Sequence, residues 1–130
     1  MKALRDPDRL LAQGLAAIRD QFRVPAAFPP EVSAAAEAAA HRAPTAHADW
    51  TARPFVTLDP AGATDLDQAF AIEPAGTDYL LHYAIADVAW FAGDEDPIDR
   101  EAWTRGVTTY LPDGKAGLYA PVLAEGAASL

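Results

Sequence analysis

The stretch that most limits what this chain can become is Asp59-Pro60-Ala61-Gly62-Ala63-Thr64-Asp65-Leu66-Asp67-Gln68, with three carboxylates within nine residues. Apolar runs flank it, Phe55-Val56-Thr57-Leu58 before and Ala69-Phe70-Ala71-Ile72 after. Both read as strands. The residues between the acids are small or turn-forming, so the backbone can fold the carboxylates towards one point. Such a cluster has two ordinary explanations, a cation site or a solvated acidic turn.

At 130 residues the chain is at most one domain of ordinary size, long enough to bury a core. Its composition, 51% apolar and 22% charged, argues against bulk disorder. No apolar run approaches the roughly 20 residues a membrane span needs. Met1 to Asp6 leads into no apolar segment of the signal-peptide kind. The expectation is a cytoplasmic protein without a membrane partner. The absence of cysteine excludes disulfide partners, thiolate zinc sites and a cysteine nucleophile.

The net charge of -9 is unevenly spread: Asp59 to Glu101 carries eleven acids against one base, Arg100, while six of ten Lys and Arg lie in the first fifty positions. An acidic surface repels phosphate. If RNA is the substrate, cations or residues outside this chain must supply positive charge.

In chain order, Asp6-Pro7 offers a helix cap and a first-turn proline. Leu11, Leu15, Ile18 and Phe22 then form one apolar stripe expected to pack on a neighbouring core. Pro25, Pro29 and Pro30 end that helix. A second, Ala-rich helix is predicted from Glu31 to about Arg42, with little large apolar surface to bury. Its Glu37 and His41 are spaced to pair weakly. His41 and His47 carry no chemistry in this reading. Phe55–Leu58, Gln68–Glu73 and Tyr79–Asp87 are predicted strands, the last two joined by a hairpin loop over Pro74–Asp78. Both faces of Tyr79–Asp87 are apolar, which predicts a central strand, with His82 as a hydrogen-bonded core residue. Asp96-Pro97 starts another helix that runs to about Arg105 and stops at Gly106. A strand over Gly106–Leu111 follows, broken by Pro112-Asp113-Gly114. The fold class is α+β (mixed α/β).

The sequence contains no Gly-x-Ser-x-Gly elbow, no phosphate-binding glycine loop and no dinucleotide fingerprint. The acidic stretch also fails as a calcium helix-loop-helix site, since Ala61 and Ala63 stand where ligands are required. Hard-cation chemistry remains. Neighbouring carboxylates repel one another unless a divalent ion neutralises them. Oxygen-only ligands favour Mg²⁺ or Mn²⁺, and such ions serve phosphate-ester chemistry.

Several stretches resemble one family. Phe55-Val56-Thr57-Leu58-Asp59 followed by Asp65-Leu66-Asp67 is similar to the signature of the ribonuclease II and ribonuclease R family, the RNB catalytic domain. Ile85-Ala86-Asp87-Val88, then Asp99-Arg100-Glu101-Ala102 through Arg105-Gly106-Val107-Thr108-Thr109-Tyr110-Leu111-Pro112, match later segments in order. Pro121-Val122-Leu123 and Ser129-Leu130 resemble the stretch after them.

The resemblance implies a Mg²⁺-dependent (or Mn²⁺-dependent) hydrolytic 3′-to-5′ exoribonuclease that threads single-stranded RNA and releases nucleoside 5′-monophosphates. On it, Asp59, Asp65, Asp67 and Gln68 are metal ligands, Asp65 and Asp67 are catalytic, and Tyr110 stacks on terminal bases. Gln68 departs from the family's fourth acid, offering a carbonyl oxygen without charge. Residues 1–52 are then a helical N-terminal region and linker, and 53–130 the opening of a catalytic domain. The family's downstream arginine, glutamate and RNA-binding barrel have no counterpart in this stretch, so the chain alone is expected to be inactive. The other readings are a catalytically inert homologue or fragment that binds RNA or protein, and a small acidic domain with a structural turn.

Overall fold

The structure, a computed structural model, describes residues 6–130. The reading of Met1–Arg5 lies outside the described residues. The fold is α+β, as expected. Two helices, α1 (Leu10–Gln21) and α2 (Pro30–Ala40), precede a hairpin of β1 (Gln68–Ala75) and β2 (Asp78–Ile85). A 3₁₀ turn (Val88–Trp90), α3 (Pro97–Arg105), a short hairpin of β3 (Thr109–Leu111) and β4 (Gly114–Ala116), and a π-helical turn (Leu123–Ala127) complete it.

The core is built from small residues and a few large ones. Ala36 and Ala39 of α2 meet Phe91, Ile98 of α3, Ala120, Leu123 and Ala128. An Ala-rich helix was expected to bury little, yet α2 is the helix at the centre of the packing. Its short side chains let Phe91, Ile98 and Leu123 approach the backbone closely, which suits interiors packed to crystal-like density. Arg42, just past α2, donates to the Phe91 carbonyl at 2.6 Å and ties the helix end to the same core.

Local signals place the helix ends well. Asp96 caps α3: its Oδ1 accepts from the N–H groups of Ile98 (2.8 Å) and Asp99 (2.9 Å), and its Oδ2 from Gly93 (2.8 Å). Gly106 ends the helix at φ 74°, a conformation that only glycine adopts without strain. Asp6 also acts as a cap, accepting from Leu11 (3.2 Å) and Ala12 (3.1 Å), though Pro7 lies in a turn before α1 and is outside its first helical position.

Three expectations need correction. The stripe of α1 does not pack on a core: no residue of α1 is buried, and Phe22 is 70% exposed. An ion pair from Arg19 to Asp113 (2.9 Å) holds the helix, while the core contacts its stripe would need are already made by α2. Likewise, β2 is not central. Among the described residues it pairs only with β1, and Tyr79, Leu81, Tyr83 and Ile85 stand exposed. A two-sided apolar strand needs a layer on each face, and the described chain covers only the face that buries Ala69 and Ala71. Lastly, the strand over Phe55–Leu58 reduces to a single antiparallel bridge between Val56 and Phe70. His82 is hydrogen-bonded as expected, although half-buried and outside the core: its Nε2 lies 3.0 Å from both Glu73 Oε1 and Arg53 Nη1, donating to the first or accepting from the second according to its tautomer. His47 does have a partner: its Nε2 lies 2.8 Å from Asp87 Oδ2.

Because Leu123 is fully buried and Leu81 exposed, Leu123→Ala should cost about 2–5 kcal/mol in urea unfolding. Leu81→Ser should change stability by less than about 0.5 kcal/mol. Equal effects would contradict the placement of the core.

Candidate active site

The acidic stretch is fixed at its centre. Leu66 donates its N–H to Ser129 Oγ (3.0 Å), and its carbonyl accepts from Leu130 N–H (2.7 Å). Ser129 Oγ also donates to the Thr64 carbonyl at 3.4 Å. One residue on, the Asp67 carbonyl accepts from Ala86 N–H (2.9 Å), extending the β1–β2 ladder. Asp65 and Asp67 therefore flank a residue whose two backbone groups are both engaged. Both border the same side of this segment.

That side opens on a cavity of about 600 Å³, lined by Asp65, Asp67, Tyr110, Lys115 and Glu125 among others. Tyr110 on β3 and Lys115 on β4 are opposite each other in the hairpin register, so both project from one face. Tyr110 is 74% exposed. Lys115 Nζ lies 3.1 Å from Asp65 Oδ2 and 2.9 Å from Glu125 Oε1. The hydrogen bond from Lys115 holds the Asp65 carboxyl below the usual carboxylate range, helped by a backbone N–H and by the lysine's charge. Hydrogen bonds to Glu125 first and Asp65 second push the Lys115 ammonium above its ordinary value.

Asp59 stands elsewhere. With Asp67, Gln68 and Tyr83 it lines a second cavity of about 350 Å³. There the Gln68 carbonyl oxygen accepts from the Tyr83 hydroxyl. Asp67 borders both cavities. Among the described residues, no three His, Cys, Asp or Glu side chains form a group able to hold a metal ion. The expected convergence of Asp59, Asp65 and Asp67 on one point is therefore not what this structure has. Asp59 follows a run held by one bridge and precedes a turn closed by Ala63 N–H to the Pro60 carbonyl (2.9 Å). Asp65 is turned to a lysine. Asp67 makes no ion pair among the described residues.

Sequence reasoning missed Lys115 and Glu125. The one available signal was that Lys115 is the only base after Arg105. It also missed Arg105, whose side chain is 3% exposed. Arg105 donates to Glu101 (2.8 Å), the Gly117 carbonyl (3.1 Å) and the Ala27 carbonyl (2.7 Å), and lies 3.7 Å from the Phe28 ring centroid. It fixes the segment that carries Tyr110 against the wall of the larger cavity.

The structure superposes on Mycoplasma genitalium RNase R in complex with double-stranded RNA with a TM-score of 0.79 at 25% identity, covering 99% of this chain and 24% of that one. Ribonuclease R of Escherichia coli (strain K12) is 34% identical over 107 residues, 82% of this chain and 13% of its own length. That of Acidithiobacillus ferrooxidans is 39% identical over 77 residues, 59% of this chain and 18% of its own length. The RNB domain matches residues 47–130. The chain belongs to the RNB domain family, the relatives just given are ribonucleases by name, and it spans less than a fifth of the length of the two curated ones.

The Asp65–Lys115–Glu125 triad sets a pH dependence. Asp65, with its pKa lowered in the fold, adds stability above the ordinary carboxylate value and loses it as pH falls through the folded value. Lys115, with its pKa raised, adds stability below the ordinary ammonium value and loses it as pH rises through the folded value. The advantage of wild type over Lys115→Gln should form a plateau between about pH 5 and pH 10 and fade at both ends. Solvent screening of these part-exposed groups keeps it to roughly 0.2–1 kcal/mol. Thermal unfolding across pH measures it, and a pH-independent difference would contradict the pairing.

Proposed function

We propose that this chain supplies the first metal-binding and RNA-stacking elements of a 3′-to-5′ exoribonuclease that hydrolyses single-stranded RNA to nucleoside 5′-monophosphates. The observation that carries the reading is Asp65 and Asp67 held on either side of a pinned Leu66, opening on the cavity that Tyr110 also lines. Residues 53–130 are the opening of the catalytic domain in this reading, and 1–52 the helical region before it. No helix among the described residues is long and apolar enough to cross a membrane, and the expected compartment is the cytoplasm.

The donor atoms are of the type Mg²⁺ takes, with Mn²⁺ as a substitute, although the described residues do not gather them into one group in this structure. Asp59, Asp65, Asp67 and Gln68 offer oxygen only, and Mg²⁺ is commonly held by one or two carboxylates with water and substrate phosphate. Asp67, bordering both cavities and free of ion pairs among the described residues, would be the central ligand. Asp59 and Gln68, which line the smaller cavity with it, and Asp65, which lines the larger, would be the further ligands. The chemistry such a site would gain from a divalent ion is charge neutralisation at the phosphate and a bound water of lowered pKa.

The chain's own groups do the rest. Tyr110 offers an exposed ring on which a terminal base stacks without regard to sequence. The Asp65 and Asp67 carboxylates accept hydrogen bonds from the attacking water and orient it. Lys115 and Arg19 at the cavity offset part of the acidic field that would repel a phosphate backbone. A second reading, a catalytically inert RNA- or protein-binding module, draws on Gln68 and on the separation of Asp59 from Asp65.

Mn²⁺ titration should raise the melting temperature of the chain by linkage, and Asp67→Asn should abolish that rise. In a protein that carries this chain together with a complete catalytic domain, 5′-labelled single-stranded RNA should shorten from its 3′ end. There Asp67→Asn should slow turnover by about 100-fold or more. The 130-residue chain alone should show no turnover. Undiminished hydrolysis by the Asp67→Asn protein would overturn the assignment. Absence of hydrolysis by the wild-type protein would leave the binding-module reading standing.

A further inference from the structure

We infer that the groove between the end of α1 and β3 is a second seat for single-stranded RNA, in which Phe22 stacks on a base and Arg23 meets a phosphate on the 5′ side of the terminal nucleotide. The inference rests on the exoribonuclease reading above and extends it from the cleft to the helical N-terminal region.

The groove holds about 600 Å³ and adjoins the cleft, sharing Pro25, Arg105 and Tyr110 with it. Tyr110 therefore borders both. Phe22, at the C-terminal cap of α1, lines the groove and is 70% exposed, close to the 74% of Tyr110. Neither ring pairs with another aromatic ring among the described residues. Two exposed rings along one continuous depression suit a strand of unpaired bases, because every base has a face to stack.

Charge separates this groove from the rest of the chain. The sequence has 19 Asp and Glu against 10 Lys and Arg, yet none of the groove's eleven lining residues is acidic. Two are arginines, Arg23 and Arg105. The Arg105 guanidinium is taken up by Glu101 and two carbonyls. Arg23 makes no ion pair among the described residues. An acid-free surface with an unpaired guanidinium is where a phosphate backbone can approach. The acids lie on the cleft side of Tyr110, so the 3′ end belongs there and the groove takes the nucleotides that precede it.

The backbone at Arg23 supplies an independent observation. Helix α1 closes with Arg23 N–H donating to the Asp20 carbonyl (3.1 Å) and Val24 N–H to the Arg19 carbonyl (2.9 Å). That pair of bonds is a helix stop whose left-handed residue is usually glycine. Arg23 holds the place at φ 51°, where a Cβ is strained. Glycine would close the same bonds without strain, so the stop does not account for an arginine. A guanidinium lining an acid-free groove does.

The test uses a protein that carries this chain together with a complete catalytic domain, with EDTA present to prevent hydrolysis. Fluorescence anisotropy of a 5′-labelled dodecauridylate gives the dissociation constant, and thermal unfolding is followed for each variant. No residue of α1 is buried, so neither substitution removes core packing. Phe22→Ala should weaken binding by about fivefold or more. Arg23→Gly should lower the salt slope of log Kd by about 0.7 and weaken binding about fivefold at about 0.1 M salt, while raising the melting temperature. Unchanged affinity in either variant overturns the inference. A lowered melting temperature with unchanged affinity in Phe22→Ala would show that another part of the protein covers the groove. The two readings fail separately. If Tyr110→Ala loses affinity while Phe22→Ala and Arg23→Gly match wild type, the exoribonuclease reading stands and the groove falls. If both groove variants bind weakly but the wild type with Mg²⁺ leaves RNA intact, the groove stands and the nuclease reading falls. A wild type without affinity for the dodecauridylate overturns both.

Discussion

Everything proposed for the cleft depends on two hydrogen bonds at one residue. Leu66 spends its N–H on Ser129 and its carbonyl on Leu130, closing a contact between segments more than sixty positions apart. Backbone groups removed from water must find such partners, and here the partners come from the far end of the chain. The two aspartates beside Leu66 are oriented by that closure. Asp59, seven positions earlier than Leu66, is outside it and lines a different cavity.

The frame behind the cleft is held in a way that suits its composition. A chain rich in alanine buries little area per residue, so close approach of backbones replaces bulk. Ala36 and Ala39 allow this on α2, and Leu123 and Ile98 fill the space they leave. Arg105 then joins three segments that share no backbone ladder, α3, the Ala27–Phe28 loop and the Gly117 loop. Its guanidinium is buried but satisfied on several sides, the condition under which a buried charge is tolerated. Removing one partner of such a group is far costlier than the group's net worth, so Arg105 constrains the cleft wall more than its single position suggests.

How much of this was legible depends on the range of the signal. Capping by Asp96 and the stop at Gly106 are local, and the sequence carried them. So are the limits of α2 and the β1–β2 hairpin, although its turn proved tighter, at Gly76–Thr77, than a loop over Pro74–Asp78. The ordered motifs identified the family. The environment of each apolar face was not legible, because periodicity says that a face is apolar and nothing about what meets it. The α1 stripe and the outer side of β2 were misplaced for that reason. The position of α2 was misjudged by equating burial with side-chain size. Lys115, Glu125 and the Leu66 closure were invisible because each depends on a contact between distant segments. The same holds for Asp59: three acids close in sequence do not share a point in space unless the backbone between them is closed on both sides.

The central claim is that the Asp67 neighbourhood is where this chain meets a divalent cation, and paramagnetic broadening of amide signals by trace Mn²⁺ measures it most directly. The account predicts that the N–H resonances of residues 65–68 fade first, followed by those of Asp59 and of Lys115 on the facing hairpin. Broadening that starts instead at the other acidic turn, Asp94–Asp99, and leaves residues 65–68 sharp would contradict it.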